Sequence, residues 1–297
     1  MTSFLIPDEA LAGINDQVVI ITGIGLATLR RVLKHGGKVF ASDLNPLPSP
    51  ENGTVPFMKV NVTSWAEQLA MFKAAEKEYG KIDHVFANAG VQPTVSLLED
   101  DVDENGDLLP PRLDTFNVNM TGAVYTVKLG IHFLKRNPNG GSIVATASVS
   151  SFTRFPATDY TAAKHGVLGL VRALYSHLSP KLPIRINAIA PSWTDTGMMP
   201  REVLVALGEG GYQSADVVGR SVTLLMTDSA RHGELIYSDR GEFRDLENGD
   251  IGYHAHTKRM VGVKPDEELS ELSVFGKMVK VDNAFEEVDK GTGTAAA

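Results

Sequence analysis

Tyr160 and Lys164 stand four residues apart, a spacing that on a helix places both side chains on one face, about one turn apart. A lysine ammonium beside a phenol stabilises the phenolate, so we expect Lys164 to lower the pKa of Tyr160 from about 10 toward the working range. Such a phenol can donate or accept the proton of an alcohol and carbonyl pair. Because many helices carry a tyrosine and a lysine at this spacing, an aromatic ring packed under a solvated lysine is the alternative.

The composition of the chain limits which classes of protein it can belong to. The 297 residues are 43% hydrophobic and 22% charged, with no cysteine and a formal net charge of −8. The acidic balance argues against nucleic-acid and anionic-membrane partners, and the lack of cysteine excludes disulfides and thiolate metal sites. No run approaches the roughly 18 apolar residues of a membrane span, and the N-terminus lacks the basic region of a signal peptide. We predict a cytoplasmic protein with a small-molecule substrate and no metal site.

Short apolar runs rich in β-branched residues alternate with helical patterns along the chain. Such runs are typical of strands that are buried on both faces of a parallel sheet. The pattern predicts strands at residues 17–22, 38–42, 57–62, 83–87, 142–146, 184–189 and 235–238. It predicts helices at residues 24–35, 64–79, 113–134, 160–178 and 216–226, with a loop and a helix within 193–215. The alternation indicates an α/β fold with a single doubly wound (Rossmann-type) parallel sheet and helices on both faces.

Three segments are expected around this pattern. Residues 1–16 form an N-terminal extension, residues 17–264 a dinucleotide-binding catalytic domain, and residues 265–297 a C-terminal extension. The last segment is charged and ends in glycine, threonine and alanine, which is typical of disorder. The acidic, proline-containing residues 92–111 predict an exposed excursion rather than a metal site.

The first strand leads into Thr22-Gly23-Ile24-Gly25, at the end of the sheet where ligands of this fold class bind. The amides of this turn and the positive end of the next helix could hold a pyrophosphate. Asp43, at the end of the second strand, could accept hydrogen bonds from ribose hydroxyls and would repel a 2′-phosphate. No basic residue follows it directly, and we therefore predict NAD rather than NADP. A turn or helix cap is the alternative role for Asp43.

Further candidates for the cofactor site follow the third and fourth strands. Asn61 and Val62 end the third predicted strand, and Asn88-Ala89-Gly90 follows the fourth, where small residues let the backbone approach a ligand. Asn119 lies in a predicted helix, where a buried amide must find partners, and a local bond that bends the helix is the alternative. Ser148 follows the fifth strand, where a serine could equally be a turn residue.

The ordered set of these motifs resembles the short-chain dehydrogenase/reductase family over roughly residues 17–245. The set consists of Asn88-Ala89-Gly90, Asn119, Ser148, Tyr160-x-x-x-Lys164 and Pro191 to Thr196. Residues 233–241, with 245–247, are similar to the 15-hydroxyprostaglandin dehydrogenase-like and fungal secondary-metabolite alcohol dehydrogenase branch.

The resemblance implies a role for each residue of the set. Tyr160 would be the general acid and base, Lys164 would hold the nicotinamide ribose, and Ser148 would bind the substrate oxygen. Asn119 would position a water that relays protons from Lys164. The segment that begins at Pro191 would cover the nicotinamide, with Thr194 or Thr196 near the carboxamide.

The resemblance, with the residues, also predicts the reaction and the assembly. We expect an NAD-dependent oxidoreductase that interconverts a secondary alcohol and a ketone. The methionine- and leucine-bearing segment after Pro191 suggests an apolar substrate, since methionine suits an irregular apolar pocket, although these residues could simply pack a helix. Pairing of the two long helices across a two-fold axis would give a homodimer or homotetramer.

Two positions depart from the family pattern. Ser192 stands where the family usually has glycine after the proline. The first turn is the larger departure, because the family reads Thr-Gly-x-x-x-Gly-x-Gly and about four residues are absent between Thr22 and Ile24. Residues of a mobile loop could be missing from the chain as numbered, a gene model could have lost them, or the protein could truly lack the loop. The last explanation leads to the alternative function, a non-redox binding, scaffold or cyclase-like member of the fold with impaired dinucleotide binding.

Overall fold

The computed structural model describes residues 3–94, 97–264 and 267. Thr2–Leu246 form one compact unit, while Met1 and Glu247–Ala297 belong to a second, whose described helix is α8 (Tyr253–Met260). The strands of the first unit are β1 (Val18–Thr22), β2 (Lys38–Asp43), β3 (Phe57–Lys59), β4 (His84–Ala87), β5 (Gly141–Thr146), β6 (Ile184–Pro191), β7 (Thr194–Asp195), β8 (Gln213–Ser214), β9 (Leu235–Asp239) and β10 (Glu242–Asp245). Its helices are α1 (Leu26–Lys34), α2 (Trp65–Tyr79), α3 (Asp114–Phe116), a π-helical turn (Asn117–Thr121), α4 (Gly122–Leu134), α5 (Thr158–Tyr175), α6 (Arg201–Leu207) and α7 (Ala215–Thr227).

Eight strands form one sheet in the order β10-β9-β6-β5-β4-β1-β2-β3. All neighbouring pairs are parallel except β9 and β10, which are antiparallel, while β7 and β8 form a separate parallel pair. This confirms the predicted doubly wound parallel sheet. The strand order reverses between β3 and β4, so a crevice is expected beyond the carboxyl ends of β1 and β4.

The core lies on both faces of the central strands. All five residues of β1 are buried, which explains its uninterrupted apolar sequence. Alternate residues belong to different clusters, with Ile20 packing near Phe72 and Phe133 of the helices α2 and α4. Its neighbour Ile21 belongs to the cluster that contains Val222 of α7. Helices therefore cover the two faces, and the loops at the carboxyl ends of the strands carry the candidate site.

The third strand is shorter than the predicted range, because it ends at Lys59 rather than at residue 62. The side chain of Asn61 accepts hydrogen bonds from the backbone N–H and the hydroxyl of Thr63, which turns the chain. The N–H of Asn61 donates to Glu67 in the first turn of α2. These bonds use the groups that would otherwise continue the ladder.

Several elements were not predicted. The antiparallel strand β10 follows β9 through a tight turn at Arg240 and Gly241, and Phe4 of the N-terminal extension bridges to Phe243 on β10. The extension also contains a 3-10 helix at Asp8–Ile14. Helix α5 spans Thr158–Tyr175 rather than 160–178, and α1 begins at Leu26. Residues 265–297, predicted to be a C-terminal extension with a disordered end, lie outside the described residues except for residue 267.

Candidate active site

Tyr160 and Lys164 lie on α5 one turn apart, as their spacing predicts. The carboxylate of Asp159 accepts the N–H of Tyr160 at 2.7 Å. The ammonium of Lys164 is 3% exposed and donates to the carbonyl oxygen of Thr146, at the end of β5, at 2.7 Å. It lies 5.7 Å from the centre of the Tyr160 ring. The pair therefore stands at the carboxyl ends of the central strands, where the sequence predicted it.

Burial sets the protonation of this pair. Burial raises the pKa of the Tyr160 phenol, and a hydrogen bond with the Ser148 side chain lowers it by less. Burial also lowers the pKa of the Lys164 ammonium, to about 8. The direction of the Tyr160 pKa shift is opposite to the one predicted, because the loss of solvent around the phenolate is the largest influence on this group. Burial therefore shifts both groups toward their neutral forms, although Lys164 still carries its proton below about pH 8.

Ser148 is held beside Tyr160 by a short 3-10 helix, Val149–Ser151, that follows β5. Its hydroxyl accepts the N–H of Ser150 at 3.2 Å, and its own N–H donates to the hydroxyl of Ser151 at 3.0 Å. The hydroxyl of Ser151 in turn donates to the carbonyl oxygen of Lys164 at 2.8 Å. These bonds tie the loop after β5 to α5, so the Ser148 hydroxyl and the Tyr160 phenol are held together.

Asn119 is buried in the π-helical turn between α3 and α4. Its side-chain oxygen accepts the N–H of Val91 at 2.7 Å, and its amide nitrogen donates to the Val91 carbonyl at 2.9 Å. The amide thus pins the segment after β4 rather than bonding only within its own helix. A methyl group added at Gly90 would stand 3.1 Å from the Asn119 oxygen and 3.7 Å from the Lys164 ammonium. A side chain at Gly90 would therefore enter the space beside Lys164.

The turn after β1 is connected to both neighbouring strands. The hydroxyl of Thr22 accepts the N–H groups of Asn88 and Ala89, at 3.1 and 3.4 Å. Gly23 and Gly25 both have positive φ, 72° and 46°, which glycine adopts without strain. This turn contains three residues between β1 and α1.

Asp43 lies at the end of β2 and faces this turn. One of its carboxylate oxygens accepts the N–H of Ile24 at 3.0 Å, and the other accepts the N–H of Asn45 at 2.8 Å. The alternative role foreseen for Asp43, a partner of turn amides, is thus present in the structure. Its predicted role toward a ribose stays a prediction.

Asn61 and Val62 have structural partners. The side chain of Asn61 bonds to Thr63, as described above. Val62 is buried against Gly122 of α4, where a methyl group would stand 2.8 Å from the valine side chain. Its carbonyl accepts a hydrogen bond from Gln68 at 2.6 Å. These contacts position the start of α2, and the assignment of both residues to the cofactor site is untested.

The segment after β6 contains the other predicted cofactor contacts. Pro191 ends β6, and the N–H of Ser192 donates to the Ser238 carbonyl at 2.9 Å, so the residue that replaces glycine still joins the sheet edge. Thr194 is buried, and its hydroxyl donates to the Ser192 carbonyl at 2.8 Å. Thr196 is exposed, and its hydroxyl accepts the N–H of Met198. Thr194 is therefore the more firmly held of the two threonines.

Two supporting residues were not foreseen from the sequence. Asp159 is 2% exposed, and its second carboxylate oxygen accepts the N–H of Thr94 at 3.0 Å, which fixes the loop after β4 to the start of α5. Gln213 is buried and donates to the hydroxyl of Thr194 and to Ser238. The only sequence signal for Asp159 was an acidic residue directly before the tyrosine, and Gln213 gave none.

The residues fit the nicotinamide-ribose end of a dinucleotide. Glycine at residue 90 keeps a side chain away from Lys164 and Asn119, since an added methyl group would stand 3.7 and 3.1 Å from their polar atoms. Within the described part of the chain, no group of three or more acidic or histidine side chains could hold a metal ion. Across those same residues, no helix combines the length and apolar character needed to cross a membrane.

Comparison with known proteins agrees with this geometry. The family model "short chain dehydrogenase" matches residues 17–203. The short-chain dehydrogenase/reductase ascJ of Acremonium egyptiacum is 42% identical over 256 residues, covering 83% of this chain and 86% of that protein. The short-chain dehydrogenase/reductase prx4 of Penicillium rubens is 39% identical over 234 residues, covering 75% of this chain and 68% of its own.

Solved structures share the fold at lower identity. Carveol dehydrogenase from Mycobacterium avium in complex with NAD superposes with a TM-score of 0.65 at 24% identity, covering 77% of this chain and 98% of that one. The ligand-free aldohexose dehydrogenase of Thermoplasma acidophilum gives 0.65 at 23% identity, over 77% and 95% of the two chains. The family-model match, the similar relatives and the sheet topology together show that the chain belongs to the short-chain dehydrogenase/reductase family.

Proposed function

We propose that this protein is an NAD-dependent oxidoreductase that interconverts a secondary alcohol and a ketone. The observation that carries the proposal is the contact between the Tyr160 phenol and the Ser148 side chain, with the Lys164 ammonium over the same ring. Proton donor, hydrogen-bond partner and cation thus meet at one point of the crevice. A protein without redox function would have no need to keep this set together with Asn119.

The side chains divide the work of proton transfer. In oxidation the Tyr160 phenolate accepts the hydroxyl proton of the alcohol, while Ser148 donates a hydrogen bond to the oxygen as its charge develops. In reduction the phenol returns the proton. Lys164 would hold the nicotinamide ribose and stabilise the phenolate, and Asn119 would position a water that relays the proton to solvent. A bound nicotinamide dinucleotide supplies the hydride acceptor or donor.

The protonation of Tyr160 makes the two directions of the reaction depend on pH in opposite ways. Burial raises the pKa of Tyr160, so the phenol is protonated and ready to donate. Oxidation needs the phenolate, which forms as the pH rises toward that raised pKa. We therefore expect the oxidation rate to increase with pH through the alkaline range and the reduction rate to fall.

Asp43 supports NAD rather than NADP as the cofactor. Its carboxylate would repel the 2′-phosphate of NADP, and the next three residues, Leu44, Asn45 and Pro46, carry no positive charge.

Aromatic contacts flank the candidate site and support an apolar substrate. Trp193, just after β6, packs edge-to-face with Phe155, which precedes α5, at 5.9 Å between ring centres. Phe152 packs in the same way with Tyr237 of β9 at 6.2 Å. Three of these rings come from the loops that adjoin Ser148 and Pro191, and Tyr237 comes from β9. A medium-sized apolar alcohol or ketone would bury its surface against such walls.

A homodimer or homotetramer is the proposed assembly. The family commonly pairs its two long helices, here α4 and α5, across a two-fold axis. Light scattering on the purified chain at two concentrations tests this, and a monomer at both would contradict it.

Substitution of Tyr160 tests the function directly. We expect Tyr160→Phe to lower turnover of secondary alcohols with NAD by about 100-fold or more, the usual contribution of a general acid and base. Affinity for NADH should be largely kept, because the ring and Lys164 remain. Tyr175→Phe, at an exposed tyrosine of the same helix, is the matched control and should keep full activity. Full activity of Tyr160→Phe would remove this residue from the mechanism.

A further inference from the structure

The three-residue turn between β1 and α1 occupies space at the point where the strand order reverses. A methyl group added at Gly23 would stand 2.9 Å from the Cα of Ala89 and 3.0 Å from the side-chain nitrogen of Asn88. One added at Gly25 would stand 2.9 Å from the side chain of Ile21. The turn therefore rests directly on the segment after β4. The turn and the segment after β4 are in direct contact, with no room for even a methyl group between them.

The same turn uses the carboxylate of Asp43. The N–H of Ile24 donates to one carboxylate oxygen at 3.0 Å, and the N–H and side-chain amide of Asn45 approach the other at 2.8 and 3.4 Å. A ribose that binds Asp43 from the crevice side must compete with the Ile24 amide. A hydrogen bond to a charged group is among the stronger kinds in proteins, so this competition is costly to the ligand.

The opposite end of the crevice has no such obstruction. Gly90 places no side chain beside Lys164 and Asn119 at the nicotinamide-ribose end, where an added methyl group would stand 3.7 and 3.1 Å from their polar atoms. The two halves of the dinucleotide therefore meet different surroundings. The nicotinamide half would adjoin the side chains of Lys164 and Asn119, whereas the adenosine half would meet the backbone of the turn.

We propose that the turn of residues 23–25 occupies the pyrophosphate and adenosine-ribose part of the cofactor site, so that the nicotinamide half supplies most of the binding affinity. This inference rests on the proposed function, because it assumes that a nicotinamide nucleotide binds beside Lys164. Full engagement of the adenosine half requires Ile24 to release Asp43 and the turn to leave Asn88 and Ala89.

Binding of two ligands to the unaltered protein tests the inference without any variant. We expect NADH and reduced nicotinamide mononucleotide to bind with dissociation constants within about threefold of each other, since the adenosine half would contribute less than about 1 kcal/mol. Calorimetry or nucleotide fluorescence gives both values. NADH binding that is stronger than mononucleotide binding by 100-fold or more would overturn the inference and leave the proposed function intact.

An insertion variant tests whether the short turn is what weakens binding of the adenosine half. Placing Gly-Ala-Ser-Gly between Gly23 and Ile24 lengthens the turn so that it can leave β4 and Asp43. We expect NADH to bind at least about tenfold more tightly, equivalent to about 1.4 kcal/mol, and the mononucleotide to bind as before. The same tetrapeptide inserted after Gly106, in an exposed turn with no atom near the added position, is the matched control and should change neither constant.

The possible outcomes separate the two proposals. An insertion variant that folds and binds NADH no more tightly than the control would overturn the inference about the turn. If neither nucleotide binds to any of the three proteins, the proposed function and this inference are both overturned. If the insertion variant does not fold, the comparison of the two ligands on the unaltered protein still decides.

Discussion

The buried ammonium of Lys164 predicts a specific dependence of stability on pH. Burial lowers its pKa from 10.5 to about 8, while in the unfolded chain the lysine keeps its proton to about pH 10.5. Between these values the unfolded chain binds more protons than the folded one, so the free energy of unfolding rises with pH. The whole shift corresponds to about 3 kcal/mol, and the slope reaches about 1.4 kcal/mol for each pH unit. Below about pH 8 this contribution is constant, because both states carry the proton.

Comparison with Lys164→Met isolates this contribution from the other titrating groups. Urea unfolding at a series of pH values between 7 and about 10 gives the difference in unfolding free energy between the two proteins. We expect the free energy of unfolding of the wild type, relative to that of Lys164→Met, to rise by about 1.4 kcal/mol per pH unit above about pH 8. Repeating the pair in a Tyr160→Phe background removes coupling to the phenol. Lys73→Met, at an exposed position on α2, is the control with a flat difference. A flat difference for Lys164→Met as well would show that burial does not shift its pKa.

Two further substitutions test other parts of the account. Asp43→Ala should raise the ratio of NADP-dependent to NAD-dependent activity, because it removes the charge that repels the 2′-phosphate; an unchanged ratio would discard Asp43 as the discriminating residue. Gln68→Leu should lower the free energy of unfolding by about 2–4 kcal/mol, because the carbonyls of Val62 and Gly122 and the hydroxyl of Thr126 lose a buried partner. Denaturant unfolding measures this, and a loss below about 0.5 kcal/mol would contradict it.

The sheet could be predicted from the sequence because its signal is local. Strands such as β1 and β6 are apolar along their length, and burial on both faces requires that. The ends of the strands and helices were harder to predict from the sequence. The end of β3 depends on a side-chain bond of Asn61, and β10 depends on its pairing with β9 and on Phe4 from the far end of the chain. Contacts of this kind leave no periodic pattern.

The candidate site was predictable in its members but not in its electrostatics. The order and spacing of Asn119, Ser148, Tyr160 and Lys164 indicated the set, and the fold brings Ser148, Tyr160 and Lys164 into contact or close approach. The predicted direction of the Tyr160 pKa shift was wrong, because the burial that raises this pKa depends on the whole fold and not on the local sequence. A turn role was the alternative for Asp43, but its bond with the N–H of Ile24 could not be predicted, because the two residues meet only when β2 and the turn lie side by side.

Titration of the purified protein with NADH tests the central claim most directly. The account predicts a saturable change in nucleotide fluorescence or in melting temperature within the millimolar range, and its loss when Lys164 is replaced by methionine. Absence of any change at millimolar NADH would contradict the assignment of this crevice to a nicotinamide cofactor and, with it, the proposed oxidoreductase function.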